Sequence, residues 1–340
     1  MTYSLNFTLH EEFPHFINDD WNRLLEESIS HVPFLRYEYL SAWWETRGGG
    51  EWPEARLAIV TALEDNRLVG IAPLFKANHE GKISYLLLGS IEISDYLDLI
   101  VCPKDIEKFI DGLFSFLETT AAGEWDVLDL NNILSDSPSI AILEKAATLH
   151  QWKASITQLQ HSPYIPLPGD WEQYLGSIDK KQRHEIRRKM RRVEEAGDQV
   201  RWYILGDARQ LDGAIDSFMT LMANDPDKAS FLSPLMREHM RKVARCAFDS
   251  GCLNLAFLEV GGEKAAGYLS FDYLNRLWIY NSGLDRRFSE YSPGWVLLGY
   301  LLKWANENHK TEFDFMRGDE DYKYKFGAID RFVMRVRIDR

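Results

Sequence analysis

The chain has 340 residues, 45% hydrophobic and 27% charged, with a formal net charge of −13. That length supports two domains with cores of their own, and so acidic a chain argues against nonspecific coating of nucleic acid, which needs positive surface. Three cysteines, Cys102, Cys246 and Cys252, without C-x-x-C spacing, exclude a disulfide framework and a structural zinc site, and fit a reduced, cytoplasmic protein.

No run approaches the roughly 20 apolar residues of a membrane span. The opening MTYSLNFTLHEEFPHF lacks the basic-then-apolar order of a secretory signal. His15 and Asp19 fit an H-x-x-x-D pattern, but in a short polar stretch where chance explains them. Leu57 to Phe75, LAIVTALEDNRLVGIAPLF, predicts a β-hairpin turning at Glu64-Asp65-Asn66. A helix over 106–119 and a strand Val127-Leu128-Asp129-Leu130 come next.

HSPYIPLPGDW, 161–171, has three prolines in six positions and predicts an extended crossover between domains. Asp170 caps a helix starting at Trp171, whose Leu175, Ile178, Ile186, Met190 and Val193 keep helical spacing until Gly197 ends it. Residues 180–192 of that helix, KKQRHEIRRKMRR, hold eight Lys or Arg. They form either a solvated face or a phosphate-facing track.

Asn254 to Phe271, NLAFLEVGGEKAAGYLSF, repeats the hairpin pattern, with Gly267 in the place of Gly70. A helix over 294–306 and a strand Phe313 to Met316 complete the parallel, so the order of elements predicts an internal duplication. Phosphate-loop, dinucleotide, zincin and nucleophile-elbow motifs are absent, which leaves metal-free chemistry without nucleotide hydrolysis.

WEQYLGSIDKKQRHEIRRKMRRV (171–193), YNSGLDRRFSEYSPGWVLL (280–298) and FDFMRGDEDYKYKFG (313–327) together resemble the GNAT acyltransferases, and within them the CelD-like branch related to the FemABX peptidyltransferases. PFLRYEYLSAWWE (33–45) and Ser94-Asp95-Tyr96 extend the resemblance into the first half. It implies an α/β fold of two GNAT-like domains, each a mixed β-sheet flanked by helices. Residues 1–165 are then a degenerate copy and 166–340 carry the donor and catalytic site.

It also implies an N-acyltransferase using acetyl-CoA or another acyl-CoA and no metal, acting on a small or glycan-linked amine, as in polysaccharide or envelope biosynthesis. A FemX-like alternative takes an aminoacyl group from tRNA, and a third reading is a non-catalytic scaffold. For the donor, Tyr291, Ser292, Pro293, Gly294 and Trp295 open a helix whose N–H groups from Trp295 to Leu297 face a pyrophosphate, with Arg317 beside them. The usual glycine-rich loop is replaced by Arg287 to Ser292.

For chemistry, Asp314 or Asp319 is the candidate base and Lys323, or a strand amide near Ile279 to Asn281, the oxyanion donor. Tyr322 or Tyr280 is the candidate acid. Asp95, Tyr96, Asp98 and Arg187 are candidate acceptor contacts, the first three on a cleft wall. For Arg317 and Asp319 the plainer alternative is a structural turn pair.

Overall fold

A computed structural model describes residues 5–119, 122–196 and 199–340. The chain divides into two units, Met1–Gln160 with Phe332–Arg340, and His161–Arg331. Both are α/β with helices packed on sheets, which is the fold class the sequence predicts. Among the described residues no helix is long and apolar enough to cross a membrane.

The first unit holds two sheets. One has the order β1 (Asn6–His10), β3 (Ile59–Glu64), β4 (Arg67–Ala72), β7 (Ile100–Val101). The other runs β2 (Arg56–Leu57), β5 (Leu74–His79), β6 (Lys82–Leu87), β8 (Val127–Leu134), β16 (Phe332–Asp339), β9 (Lys153–His161). The predicted first hairpin forms, and Asp65 and Asn66 take the positive φ of a two-residue turn. At Pro73 the chain leaves one sheet and continues in the other, so a single predicted strand becomes β4 and β5. Helices α1 (Asn18–Glu26), α2 (Tyr37–Glu45), α3 (Arg47–Gly50), α4 (Ile106–Leu117) and α5 (Ser139–Leu149) complete the unit.

The closing strand β16 pairs antiparallel with β8, Ile338 opposite Leu128. The tail therefore belongs to the first unit, whereas its place in the chain suggests the second. Its buried Val333, Val336 and Ile338 complete that sheet's core.

The second unit has one six-stranded sheet, β10 (Tyr164–Pro166), β15 (Glu312–Asp314), β14 (Arg276–Leu284), β13 (Glu263–Tyr273), β12 (Leu253–Val260), β11 (Val200–Ile204). Helices α6 (Trp171–Ser177), α7 (Lys180–Glu195) and α11 (Pro293–Glu307) cover one face through a core that includes Leu175, Ile186, Met190, Leu297 and Leu301. Helix α8 (Leu211–Met222) lies on β13 and β14, with α10 (Pro234–Asp249) packed on α8 and β12. Short helices α9 (Pro226–Phe231) and α12 (Asp321–Lys325) flank the site.

The helix expected from Trp171 through Val193 is broken in two. Asp170 caps α6 by accepting from the Gln173 N–H at 2.7 Å. Ile178 is extended, and Asp179 caps α7 from the N–H groups of Lys181 and Gln182. An acid placed just before a basic run is a start signal, and it outcompetes continuation of the helix. Gly197, the expected helix end, lies outside the described residues.

Gly70 and Gly267 do not hold equivalent places. A Cβ on Gly70 would fall 2.3 Å from the Phe109 ring of α4, a helix that comes after its hairpin. One on Gly267 would meet Phe218 of α8, which precedes its hairpin. The two glycines serve helices of different order in the chain.

Candidate active site

Strands β14 and β15 run parallel but pair over only three residues, Arg276 with Glu312, Leu277 with Phe313 and Trp278 with Asp314. Beyond Asp314 the backbone turns to the other neighbour, Phe315 N–H donating to Pro163 and Gly318 N–H to His161. Strand β14 continues to Leu284 without β15 beside it. A register shift against β13 leaves Tyr280 as the extra residue, between Ile279 opposite Ser270 and Asn281 opposite Leu269. Both backbone groups of Ser282 are met by side chains: its N–H donates to Asn281 Oδ1 and its carbonyl accepts from Lys228 Nζ.

The turn after β15 is built around Lys323. Its buried ammonium donates to the carbonyls of Arg317 (2.8 Å) and Gly318 (3.1 Å) and pairs with Glu320 (2.8 Å). Gly318 has φ 107°, and a Cβ there would sit 2.5 Å from the Glu320 carboxylate, so only glycine fits. Glu320 is thereby held over the turn, with its carboxylate half-exposed.

Two phenols meet near Glu320. Tyr268 of β13 lies opposite Ser282 and reaches the Gly294 carbonyl at 3.4 Å. Burial, and secondarily Glu320, raises its pKa. Burial, then Tyr268 and Glu320, does the same for Tyr322. Both remain protonated at neutral pH and can donate a proton. Lys228, reaching in from α9, has its pKa lowered by burial, with Asp225 and Glu320 opposing.

Helix α11 begins as the sequence suggests, with buried Pro293 at its first position and Ser292 left-handed at φ 48°. Ser292 makes no side-chain cap. The Val296 N–H already donates to the Ser292 carbonyl, so the orphan donors of the first turn are Gly294 and Trp295, one residue earlier than expected. Tyr291 is half-buried against the core. The Trp295 ring lies 4.6 Å from Phe326, under the Lys189 ammonium at 4.3 Å. In the preceding loop Arg287 is held by Asp285 and Glu263.

Arg317, Tyr322 and Lys323 therefore come together at one turn, while other expected residues are placed elsewhere. Asp314 is fully buried, paired with Arg331 and accepting from the Met316 N–H at 2.6 Å. It has no surface from which to take a substrate proton. Asp319 is exposed. Tyr280, turned by the bulge, packs on Phe271 at 5.6 Å rather than beside Tyr268. Lys323 is committed to its own turn.

Arg187 on α7 pairs with Glu172 on α6. Asp95 is half-buried in the first unit, where Tyr96 and Asp98 have no exposed surface. Burial pushes the Asp98 carboxyl up to about 6, against hydrogen bonds from Ser137, Ser139 and the Leu99 N–H. Sequence reasoning missed Tyr268, Glu320 and Lys228, and the side chain of Asn281, whose strand amide alone had been considered. Glu320 stood within the quoted motif. Tyr268 comes directly after a strand glycine, but nothing local in the sequence brings Lys228 to β14.

Residues 180–324 match a family model described as an acetyltransferase (GNAT) domain. No curated protein matches the chain's sequence. Among solved structures, FemX aligns with a TM-score of 0.67 at 10% identity, over 96% of this chain and 96% of that one. A conserved protein of unknown function from Bacteroides thetaiotaomicron aligns at 0.64 and 12% identity, over 98% and 100% of the two chains. The C-terminal domain of a putative lysylphosphatidylglycerol synthetase from Agrobacterium fabrum gives 0.54 and 12%, over 95% and 91%. At such identities the likeness is one of fold. Strands that part beside a helix start, and the sequence match over the same segment, lead to one conclusion: residues 180–324 carry the sequence pattern of an acetyltransferase (GNAT) domain, in a chain that folds like FemX.

Proposed function

We propose that the second unit transfers an acyl group to an amine by direct attack, at the edge of β14 left unpaired beyond Trp278. The observation that carries this is the parting of β14 and β15 next to the first turn of α11. It sets the helix N–H groups of Gly294 and Trp295 beside an open strand edge, where an acyl donor can lie. Acyl-CoA is the donor this arrangement suits. Gly294 and Trp295 lie at its phosphate end, with Arg317 as a further contact.

The amine attacks the acyl carbonyl, and Glu320, directly or through one water, accepts the proton the amine loses. A protonated Tyr322, supported by Tyr268, supplies the proton to the leaving thiolate. No protein nucleophile is needed. A second reading, aminoacyl transfer from tRNA, draws on α7, whose Lys180, Lys181, Arg191 and Arg192 add positive surface to that of Arg187 and Arg188. A glycan-linked or envelope amine is the acceptor class suggested by the sequence resemblance.

Thermal unfolding with acetyl-CoA, and separately with uncharged tRNA, tests the donor. A ligand at about 100 times its Kd adds about 2.7 kcal/mol to the folded state. The expected result is a raised midpoint with acetyl-CoA and, with a competent amine, a kcat about 100-fold lower in Tyr322→Phe at unchanged donor affinity. A midpoint raised by tRNA alone, and lost on removing Arg191 and Arg192, would replace the coenzyme by tRNA. No response to either would leave a non-catalytic scaffold.

A further inference from the structure

We propose that a cavity between the end of α8, helix α9 and the outer end of β14 binds a small carboxylate. Its volume is about 150 Å³. Set against the roughly 30 Å³ that one water occupies in the liquid, it has room for a three- or four-carbon acid.

Local sequence creates the cavity. Gly283 lets α8 lie directly on β14, since a Cβ there would be 2.4 Å from the Met222 nitrogen. Asp225 and Pro226 then start α9 as its N-cap and first residue, which aims Lys228 back at the strand. Leu221 and Met222 give the cavity an apolar wall, and Lys228, Arg286 and Ser282 a polar one.

The charges there do not balance. Lys228 Nζ donates to Asn281 Oδ1 at 3.0 Å and to the Ser282 carbonyl at 2.6 Å, both neutral, and the third contact, Ser282 Oγ, is long at 3.5 Å. An ammonium has three hydrogens to place. The one carboxylate in the lining, Asp225, is occupied with the N–H groups of Asp227 and Lys228 at the start of α9.

Adjacent arginines divide their roles. Arg287 is bound by Asp285 and Glu263, while Arg286 lines the cavity and forms no ion pair among the described residues. Glu320, outside the lining, also acts on the Lys228 ammonium, so the charge left without a carboxylate is that of Arg286, whose guanidinium fork matches a carboxylate in two parallel bonds. The apolar wall of Leu221 and Met222 favours an acid with a carbon chain over inorganic phosphate.

Ser282 belongs both to this cavity and to the unpaired edge of β14. In the acyl-transfer reading, on which this step rests, the carboxylate is part of the acceptor: an amine that also carries an acid group.

Titration calorimetry on the full chain at fixed ionic strength tests the site, with succinate, its neutral analogue succinamide, and inorganic phosphate as probes. Succinate should bind, and succinamide should bind at least ten-fold more weakly. Arg286→Ala, an exposed position that leaves the fold intact, should weaken succinate at least ten-fold, and Lys228→Met should abolish its binding. Equal affinity for the Arg286→Ala and unaltered proteins overturns the proposal, as does phosphate binding ten-fold tighter than succinate. Acetyl-CoA is titrated alongside. Succinate binding unchanged by saturating acetyl-CoA is the expected result, and competition between them overturns the acceptor assignment. Failure of acetyl-CoA with succinate intact counts against acyl-CoA as donor and leaves the anion site standing.

Discussion

Each unit contains a parallel strand pair that ends on a buried aspartate. In the first unit β6 and β8 pair over three residues, the last being Leu86 with Asp129, and Asp129 is gripped by Arg335 at 2.8 and 2.6 Å. In the second, β14 and β15 pair over three residues, the last being Trp278 with Asp314, and Asp314 is held by Arg331. Beyond the aspartates the two units differ. In the first, Asn132 of β8 donates to the carbonyls of Ile91 and Ser94, and its own carbonyl accepts from Leu97. The segment after β6 is thereby tied to β8. In the second unit residues 315–318 bond to His161 and Pro163 instead of to β14. The same strand pairing is closed off in one unit and left with an unpaired edge in the other, which is the difference on which the proposed donor site in the second rests.

Removing the two aspartates in turn should have the largest effect. Asp314→Ala and Asp129→Ala each leave a guanidinium without its buried partner, which costs about 3–5 kcal/mol. Urea unfolding, with hydrogen exchange to report each unit separately, should show losses of that size confined to the unit mutated. If Asp314→Ala cost less than about 1 kcal/mol while abolishing activity, Asp314 would be chemical rather than structural, and the parallel with Asp129 would fail.

A somewhat smaller effect sets the units against each other in pH. Burial raises the folded-state pKa of Asp98 to about 6 from an ordinary 3.8, so its ionisation works against the fold. That penalty is absent below about pH 4, grows through pH 6, and reaches about 3 kcal/mol at neutrality. Asp98→Asn should remove this pH dependence. His239, in the second unit, goes the other way. Burial lowers its pKa from 6.5 to about 4, so stability present above pH 6.5 is lost on acidification toward 4. Hydrogen exchange at about pH 4.5 and about pH 7 should show the Asp98 contribution to the first unit rising with acid and the His239 contribution to the second falling. Parallel changes at the two sites would show that neither residue governs its unit's response.

The sequence carried a good deal of this, but unevenly. Asp65-Asn66 and Gly261-Gly262 specify turns because positive φ is a local property, and all four residues adopt it. The Asp170 cap and the Pro293 helix start are local as well. What was not legible depends on which element meets which. The alternation in Phe332–Asp339 fits any half-buried strand, and nothing in it says that β8 is the partner. Asp314 read as a candidate base because its acidity is visible in sequence and its Arg331 partner, 17 residues on, is not. Tyr280 read as a candidate acid because its phenol is visible in sequence, while the one-residue bulge that turns it onto Phe271 is not.

The smallest differences concern glycines, and they test how tightly each helix rests on its sheet. Gly283 is limited by backbone: an added methyl would meet the Met222 nitrogen at 2.4 Å and the Leu221 carbonyl carbon at 2.6 Å, so helix α8 must shift as a body. Gly70 is limited by a side chain, the buried Phe109 ring of α4, which must be displaced but carries no backbone with it. At Gly294 the nearest atom, Leu284 Cδ2, is 3.5 Å away, an ordinary contact. Substitution by alanine should therefore cost about 3 kcal/mol at Gly283, about 1–2 kcal/mol at Gly70, and less than about 0.5 kcal/mol at Gly294. Urea midpoints of the three variants check the order. Were Gly70→Ala the costliest, the first unit would be the more tightly packed of the two, and its closed strand pair would follow from packing rather than from the ties of Asn132.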